Sequence, residues 1–594
     1  MKNFKEKANF IWSIADLLRG PYKPADYGNV ILPFTVLRRL DVILEPTKKK
    51  VLEAYYQHKS KKPVIYEPIL NNIAKAKFHN YSKYNFIELA KDANNISANF
   101  HNYLNGFSTE AKEIIRHFHL ENEIKKLDES DILYLVTKRF AEAGQMFEGV
   151  SSMEMGYIFE ELIRKFAEAS NETAGDHFTP REVIKLMVNL LFVNDKEILR
   201  KKGIVKTLYD PACGTGGMLS VAEEYLHELN PDAKLEVFGQ EWNDQSFSIC
   251  KSDMLIKGQN PNNIVFGDSF TKDGFEDETF DYMLANPPFG VEWKKSEKFI
   301  KDEFATKGFA GRFGAGLPAI SDGSFLFLQH MISKMKRSKG GSRIGIVFNG
   351  SPLFSGGAGS GTSEIRKWII ENDMLEAIIA MPDQLFYNTG ISTYIWIVTD
   401  RKEKERKGKV QLINATGSDP AKSRTGAEDK ENPFYSKMLR SLGNKRKEIH
   451  EQAIKRITEI YADGKGTAYC KIFDNEDFGY SRITVERPKR ISPPLGEPEG
   501  AIELDKKGNP LPDADLRDFE NVPLKENVEE YFKREVLPHL PESWIDHSKT
   551  KIGYEINFTK YFYQYKPLRS LHDIRKDILA LEEETLDMIK EVIN

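Results

Sequence analysis

The segment Asp281-Tyr282-Met283-Leu284-Ala285-Asn286-Pro287-Pro288-Phe289 is an apolar run that ends in one amide, two prolines and an aromatic ring. Ligands of open α/β sheets bind at the C-terminal ends of strands, which is where such a run would deliver these four residues. The Asn286 side-chain oxygen is an acceptor, and Pro287 keeps its carbonyl while lacking an N–H. Pro288 restricts Pro287 to extended conformations, which aims that carbonyl. Two converging acceptors suit an amine that carries two N–H bonds. Phe289 adds a flat face on which a base can stack, an interaction of roughly 1–3 kcal/mol. A strand ending in a proline turn would give the same letters without chemistry.

A second segment, Leu208-Tyr209-Asp210-Pro211-Ala212-Cys213-Gly214-Thr215-Gly216-Gly217, follows a strand and opens a helix. Glycines there allow a tight turn and a close approach of the backbone to a ligand. By itself this turn fits a nicotinamide or flavin cofactor equally well. It is not a Walker A loop, because no Gly-Lys-Ser/Thr occurs in the chain. The helix start can hold the carboxylate of an amino-acid cofactor. Glu241 ends the next strand, where a carboxylate can accept both hydroxyls of a ribose. Asp268 ends the strand after that and can accept from an adenine amine. Each acid alone reads as surface; their succession at strand ends, ahead of Asn286, reads as a site.

This succession resembles the amino-methyltransferases of DNA, and more closely the modification subunit of type I restriction–modification systems. The similarity runs from about Phe147 to Asp400, and more weakly through the N-terminal region. The resemblance implies S-adenosylmethionine as cofactor and the N6 amine of a flipped-out adenine in DNA as acceptor. Asp176-His177-Phe178-Thr179-Pro180-Arg181 is similar to the family's cofactor segment that precedes the glycine turn, with the aromatic near the cofactor and Thr179 near its methionine end. Asp210, Gly214, Thr215, Gly216 and Gly217 match the main cofactor loop, Glu241 the ribose acid and Asp268 the adenine-facing acid. Asn286, Pro287, Pro288 and Phe289 match the catalytic motif. No metal and no covalent intermediate are expected, and Cys213 has no role as a nucleophile.

These residues need a sheet to hold them. Apolar runs at Thr207–Tyr209, Lys234–Gly239, Asn263–Phe266, Phe280–Ala285, Ser342–Phe348, Leu375–Ala380 and Tyr394–Thr399 predict strands, with amphipathic stretches such as Met218–Leu229 and Phe325–Met335 between them. Such alternation predicts a largely parallel, doubly wound sheet. The expected fold is therefore α/β: a Rossmann-like methyltransferase domain over residues 151–414. Residues 1–150 read as a helical N-terminal domain. Residues 415–594 read as a mostly helical extension with a proline-rich stretch of linker and small hairpins from Ser481 to Pro541. The last helix carries Leu571, Ile574, Ile578, Leu581, Thr585, Met588 and Val592 at heptad spacing, with Ser570 and Asp573 placed to cap its start.

Composition narrows the partners. The 594-residue chain has a net charge of −4, which is unlike a protein that grips DNA alone over a broad face. Either a local basic face or a partner chain must meet the phosphates. Two candidate faces are the run Lys334, Lys336, Arg337, Lys339 and Arg343, and the run from Arg401 to Lys409; charge runs are usually solvated surface, and the second run reads more as that. The loop Ser355 to Gly361 could approach phosphates or be a plain flexible loop, and Asp383 to Phe386 could help to wall the base pocket. The three cysteines fit neither a disulfide framework nor a zinc site. No run is apolar enough for a membrane helix and no signal peptide is evident, so a cytoplasmic location is expected. The resemblance implies DNA as substrate, a specificity subunit flanked by two modification subunits, and a restriction/translocase subunit, with Leu571 to Val592 as the docking seam. Alternatives are a single chain that reads its own site, an enzyme acting on cytosine N4 or protein glutamine, and a non-catalytic scaffold.

Overall fold

The computed structural model describes residues 4–150, 152–170, 179–337, 340–387, 389–416, 434–442, 444–491, 500–563 and 570–593. Up to residue 170 the described secondary structure is helical apart from isolated bridges. The hub is the helix Tyr27–Leu44, which is buried on nearly every side. Phe34 meets Phe86, Phe100 and Phe140 at ring-centroid distances of 5.3 to 6.1 Å. Apolar residues all round a helix mean a core helix rather than a surface one.

The helical domain sits on the helix Asp244–Ile256 of the next domain. The Arg39 guanidinium donates to Asp253 at 3.2 Å, Gln245 donates to Asn29 at 2.6 Å, and the His117 imidazole meets Asp244 at 3.1 Å. Asp253 also accepts from the Ser220 hydroxyl, so this contact reaches the helix that leaves the glycine turn.

The second domain is built on a nine-stranded sheet. Its strands are β1 (Val205–Asp210), β2 (Lys234–Glu241), β3 (Ile264–Phe266), β4 (Tyr282–Ala285), β5 (Arg343–Phe348), β6 (Leu375–Ala380), β7 (Tyr394–Thr399) and β8 (Lys409–Asn414). The hairpin β9 (Ser436–Leu442) and β10 (Lys445–Glu448) stands apart, and β11 (Cys470–Asp474) closes the sheet. The order is β11-β8-β6-β7-β5-β4-β1-β2-β3. Pairing is parallel except at β7 and β11. All seven strands read from the sequence are present. The strand order reverses at β1, between β2 and β4, which opens a crevice at the C-terminal ends of β1 and β4.

The domain edge drawn at residue 414 falls inside this sheet. β11 pairs with β8 in register Cys470↔Ile413, and the helix Glu451–Asp463 packs on Arg181–Phe192. The part beyond it carries more strand than its charge suggested. β12 (Gly479–Glu486) pairs with β13 (Asp518–Pro523), β14 (Trp544–Ile545) and β15 (Lys551–Tyr554). Arg366 holds this small sheet to the larger domain by donating to the Tyr554 carbonyl.

Residues 557–594 belong to a separate unit. In it the helix Leu571–Ile593 is capped by the Ser570 hydroxyl, which accepts from the Asp573 N–H at 3.1 Å. Leu571, Ile578 and Leu581 on this helix are 86, 59 and 62 % exposed. The side chains of Met588 and Val592 lie outside the described residues. Among the described residues no helix is long and apolar enough to cross a membrane.

Candidate active site

A cleft of about 620 Å³ lies at the C-terminal ends of β1, β2 and β4. Asp210, Gly214, Thr215, Gly217, Glu241, Asp268 and Asn286 all border it, together with Thr179 and Arg181 from the segment upstream. The sequence therefore named residues that converge, although they span more than a hundred positions. His177 and Phe178 lie outside the described residues.

The glycine turn is shaped by backbone demands. Gly214 and Gly216 have φ of 54° and 83°, the left-handed region that favours glycine. A Cβ on Gly216 would also stand 2.8 Å from the Cys250 sulfur. Gly216 donates to the Cys213 carbonyl at 2.8 Å, and the helix Gly217–Leu229 starts directly after it. Cys213 and Cys250 are buried thiols 4.0 Å apart behind the turn, filling space beneath it.

Three acids face the cleft in different states. Glu241 accepts from the N–H groups of Gly214, Trp242 and Asn243 at 2.8 to 2.9 Å, which fixes its carboxylate against the turn. Asp210 is 2 % exposed and accepts from the Ala212 N–H at 3.0 Å. Burial pushes its carboxyl up to about 8 against that bond, and the nearby Glu241 charge adds to the rise. Asp268 accepts from the Phe270 N–H, the Thr271 hydroxyl and the Ser296 hydroxyl. It organises its own turn as well as bordering the cleft. Arg312 fixes that turn from outside by donating to the Ser269 and Phe270 carbonyls at 2.8 and 2.7 Å.

Asn286 is held by a residue from the upstream segment. Its amide nitrogen donates to the Thr179 hydroxyl oxygen at 2.9 Å. Its side-chain oxygen is buried and has no hydrogen-bond partner among the described residues. A buried acceptor left unpaired costs about 1–3 kcal/mol. Phe289 stands edge-on to the buried ring of Phe386, at 5.8 Å and 77°. The stretch Asp383 to Phe386 thus backs the aromatic face of the motif. The hairpin β9–β10 straps this stretch: Arg446 donates to the Gln384 carbonyl at 2.9 Å and Asn444 to the Tyr387 carbonyl at 3.0 Å. The buried Lys445 ammonium joins Glu182, in the helix after Arg181, to the Leu385 carbonyl.

Two features escaped the sequence reading. Trp242, directly after Glu241, borders the cleft with its side chain 63 % exposed, and the Lys295 ammonium lies 5.5 Å from its ring. A lone tryptophan at a strand end was the available signal. Lys445 had none, since its partners lie 60 and 263 positions away. Conversely, three members of each basic run are drawn into ion pairs, while Arg337, Lys404, Lys407 and Lys409 stay exposed and Lys339 lies outside the described residues. Lys334 pairs with Asp273, Lys336 with Asp281 and Arg343 with Glu376. Arg401, Lys402 and Arg406 pair with Asp195, Asp373 and Glu376. The loop Ser355 to Gly361 has its Ser355 and Gly356 carbonyls bound by Arg366, and it leads into the helix Gly361–Glu371.

The arrangement is an acidic cleft with room for a nucleoside-sized ligand. Glu241, with its carboxylate fixed by three N–H groups, and Asn286, with an amide oxygen unpaired among the described residues, both border it. Comparison with known proteins places the chain in a family. The N-6 DNA methylase family matches residues 151–479, and the HsdM N-terminal domain matches residues 7–140. The MjaIX type I restriction enzyme methylase subunit of Methanocaldococcus jannaschii is 30 % identical over 310 residues, 52 % of this chain and 51 % of that protein. The HindI methylase subunit of Haemophilus influenzae is 31 % identical over 267 residues, 44 % of this chain and 54 % of that protein. The chain spans about half the length of the curated relatives it matches. Among solved structures, the type I restriction–modification methyltransferase subunit of Streptococcus thermophilus shares the fold, with a TM-score of 0.60 at 21 % identity over 80 % of this chain and 97 % of that one. With a matched segment longer than half of its 594 residues, the chain belongs to the N-6 DNA methylase family.

Proposed function

We propose that the protein transfers a methyl group from S-adenosylmethionine to the N6 amine of an adenine flipped out of DNA, as the modification subunit of a type I restriction–modification complex. The observation that carries this reading is the buried amide oxygen of Asn286, unpartnered among the described residues, in a side chain that borders the cleft lined by Asp210 and Glu241. An amine with two N–H bonds is the ligand that this acceptor lacks.

The cleft's residues fit the cofactor. Asp210 is a buried acid with no cation paired to it among the described residues, and its raised carboxyl is the sign of a site that a positive group would satisfy. Gly214 to Gly217 allow a close backbone approach, Glu241 offers its carboxylate to ribose hydroxyls, and Trp242 offers a ring face to a purine. When bound, S-adenosylmethionine supplies an electrophilic methyl group on a sulfonium.

The chain's own residues do the rest. Phe289 offsets part of the few kcal/mol that base flipping costs, by stacking. Asn286 accepts from the N6 amine and holds its lone pair in line with the methyl group. The Pro287 carbonyl is the second acceptor. Both lie where positive charge grows on nitrogen, and a preset acceptor there lowers the barrier without reorganising. Thr179 keeps the Asn286 oxygen turned towards the amine, by occupying the amide nitrogen.

A specificity subunit would read the sequence and two modification subunits would flank it, with a restriction/translocase subunit joining for cleavage. The exposed apolar side chains of the helix Leu571–Ile593 support a docking role for that helix. The cytoplasm, where the chromosome lies, is the proposed place of action. The test is mass spectrometry of nucleosides from DNA of cells that express the chain with its specificity subunit. N6-methyladenine should appear, and it should vanish with Asn286→Ala. N4-methylcytosine in its place would reassign the acceptor.

A further inference from the structure

Ion pairs inside the fold engage three members of each basic run, and positive charge is concentrated more densely elsewhere. Residues 48–83 contain nine lysines against two glutamates, in a chain whose net charge is −4. They form a helical hairpin, Lys48–His58 followed by Pro63–Ala74. The Tyr55 and Tyr66 rings meet between its helices at 5.8 Å, and Tyr81 stacks on Tyr55 at 4.0 Å. At the open end the Thr47 hydroxyl donates to the Ala74 carbonyl at 3.5 Å, which brings Lys49 and Lys50 beside Lys75 and Lys77. The connecting turn at the other end carries Lys59, Lys61 and Lys62. All seven are exposed, and none makes an ion pair among the described residues. Of the two glutamates, Glu67 is engaged elsewhere, accepting from the N–H and hydroxyl of Thr109.

Seven like charges on so small an element repel one another, and a polyanion relieves that repulsion. Duplex DNA is a close match. It carries one charge per about 1.7 Å of axis. The hairpin's helices are about 16 Å long, so its two lysine groups span about half a turn of B-DNA. Tyr56, 59 % exposed with the Lys59 ammonium 5.2 Å from its ring, adds a flat face between them.

We propose that this hairpin is a second contact with DNA, gripping the phosphate backbone without reading sequence and separate from the base-accepting cleft. It rests on DNA being the substrate class proposed above. Counterion release makes it measurable, because neutralising each lysine that meets a phosphate should lower the slope of log K against log salt by about 0.9.

The test uses the full chain and a labelled duplex, with binding titrated between about 50 and 200 mM salt. Two triple variants are compared with the unaltered chain: Lys59→Gln/Lys61→Gln/Lys62→Gln and Lys49→Gln/Lys50→Gln/Lys75→Gln. Each should lower the slope by about 2.7 on any DNA sequence, with cofactor affinity, melting temperature and methyl transfer at saturating DNA unchanged. An unchanged slope, or no binding by the unaltered chain at the lowest salt, overturns the proposal. So does an unchanged slope together with failure to bind another subunit, which assigns the hairpin to a protein. Methyl transfer by the same preparations, with the specificity subunit added, separates the two claims. A chain that methylates DNA with an unchanged slope keeps its catalytic reading and loses this one. A lowered slope without methyl transfer does the reverse.

Discussion

Thr179 and Asn286, 107 positions apart, are joined by a 2.9 Å hydrogen bond in which the asparagine amide donates to the threonine hydroxyl. The bond occupies the amide nitrogen, and the amide oxygen is buried without a partner among the described residues. Thr179 therefore holds Asn286 and also borders the cleft.

Replacing Thr179 with valine keeps the shape and removes the acceptor. Asn286 then loses its partner, at a cost of about 1–3 kcal/mol for a buried polar group. Methyl transfer at saturating DNA and cofactor should fall by roughly 5- to 150-fold. Thr179→Ser should recover most of the rate. Single-turnover kinetics measures this, and equal rates for the valine and serine variants would remove the hydroxyl from the account.

Asp210 gives a pH dependence whose sign can be fixed. Its carboxyl is raised to about 8 in the folded chain from an ordinary value near 4. An acid raised in this way binds a proton more tightly folded than unfolded, so it costs stability increasingly as pH rises from about 4 to about 8, and by a constant amount above. Asp210→Asn should therefore raise the melting temperature of the cofactor-free chain. The gain should widen across that window and then level off. The same variant should weaken cofactor binding, since it removes the charge that a cationic ligand would meet. Calorimetry at several pH values, with cofactor titrations alongside, checks both halves.

Lys445 links the helix after Arg181 to the stretch that backs Phe289. Its side chain is 4 % exposed and that of its partner Glu182 is 18 % exposed. Removing one member of such a pair strands the other, at about 3–5 kcal/mol. Lys445→Met should destabilise the chain by that order, and Lys445→Met with Glu182→Gln by less than the sum of the single changes. Additive effects in denaturant unfolding would show that the pair is not coupled.

Deleting residues 568–594 removes the terminal helix. Co-purification with the specificity subunit should be lost while cofactor affinity stays the same. Retained co-purification would move the docking surface elsewhere.

Much of the site was legible because its chemistry is local. The acceptor motif, the glycine turn and two acids each end an apolar run, and a run that alternates with amphipathic helices reads as a strand. β11 was not legible. Cys-Lys-Ile-Phe-Asp is short and carries charges at its second and last positions, so only its pairing with β8 makes it a strand. About half of the charges in the basic runs were illegible for a related reason. Arg401 meets Asp195 from 206 positions away, and Arg343 meets Glu376 across 33. A charge whose partner is distant looks like surface in the sequence. The lysines of the hairpin at residues 48–83 were the reverse case. They come in short groups separated along 36 positions, and folding brings those groups to the two ends of one element.

The central claim is methyl transfer to adenine N6 through Asn286. Its most direct test is tritium transfer from labelled S-adenosylmethionine to duplex DNA restricted to adenine or to cytosine targets, using the chain alone and with its specificity subunit. Label on adenine only, requiring the partner and falling by about 10²–10³-fold or more with Asn286→Ala, is the expected result. Label that persists at the unaltered rate in Asn286→Ala, or no label on any DNA from a chain that binds the cofactor, would contradict it.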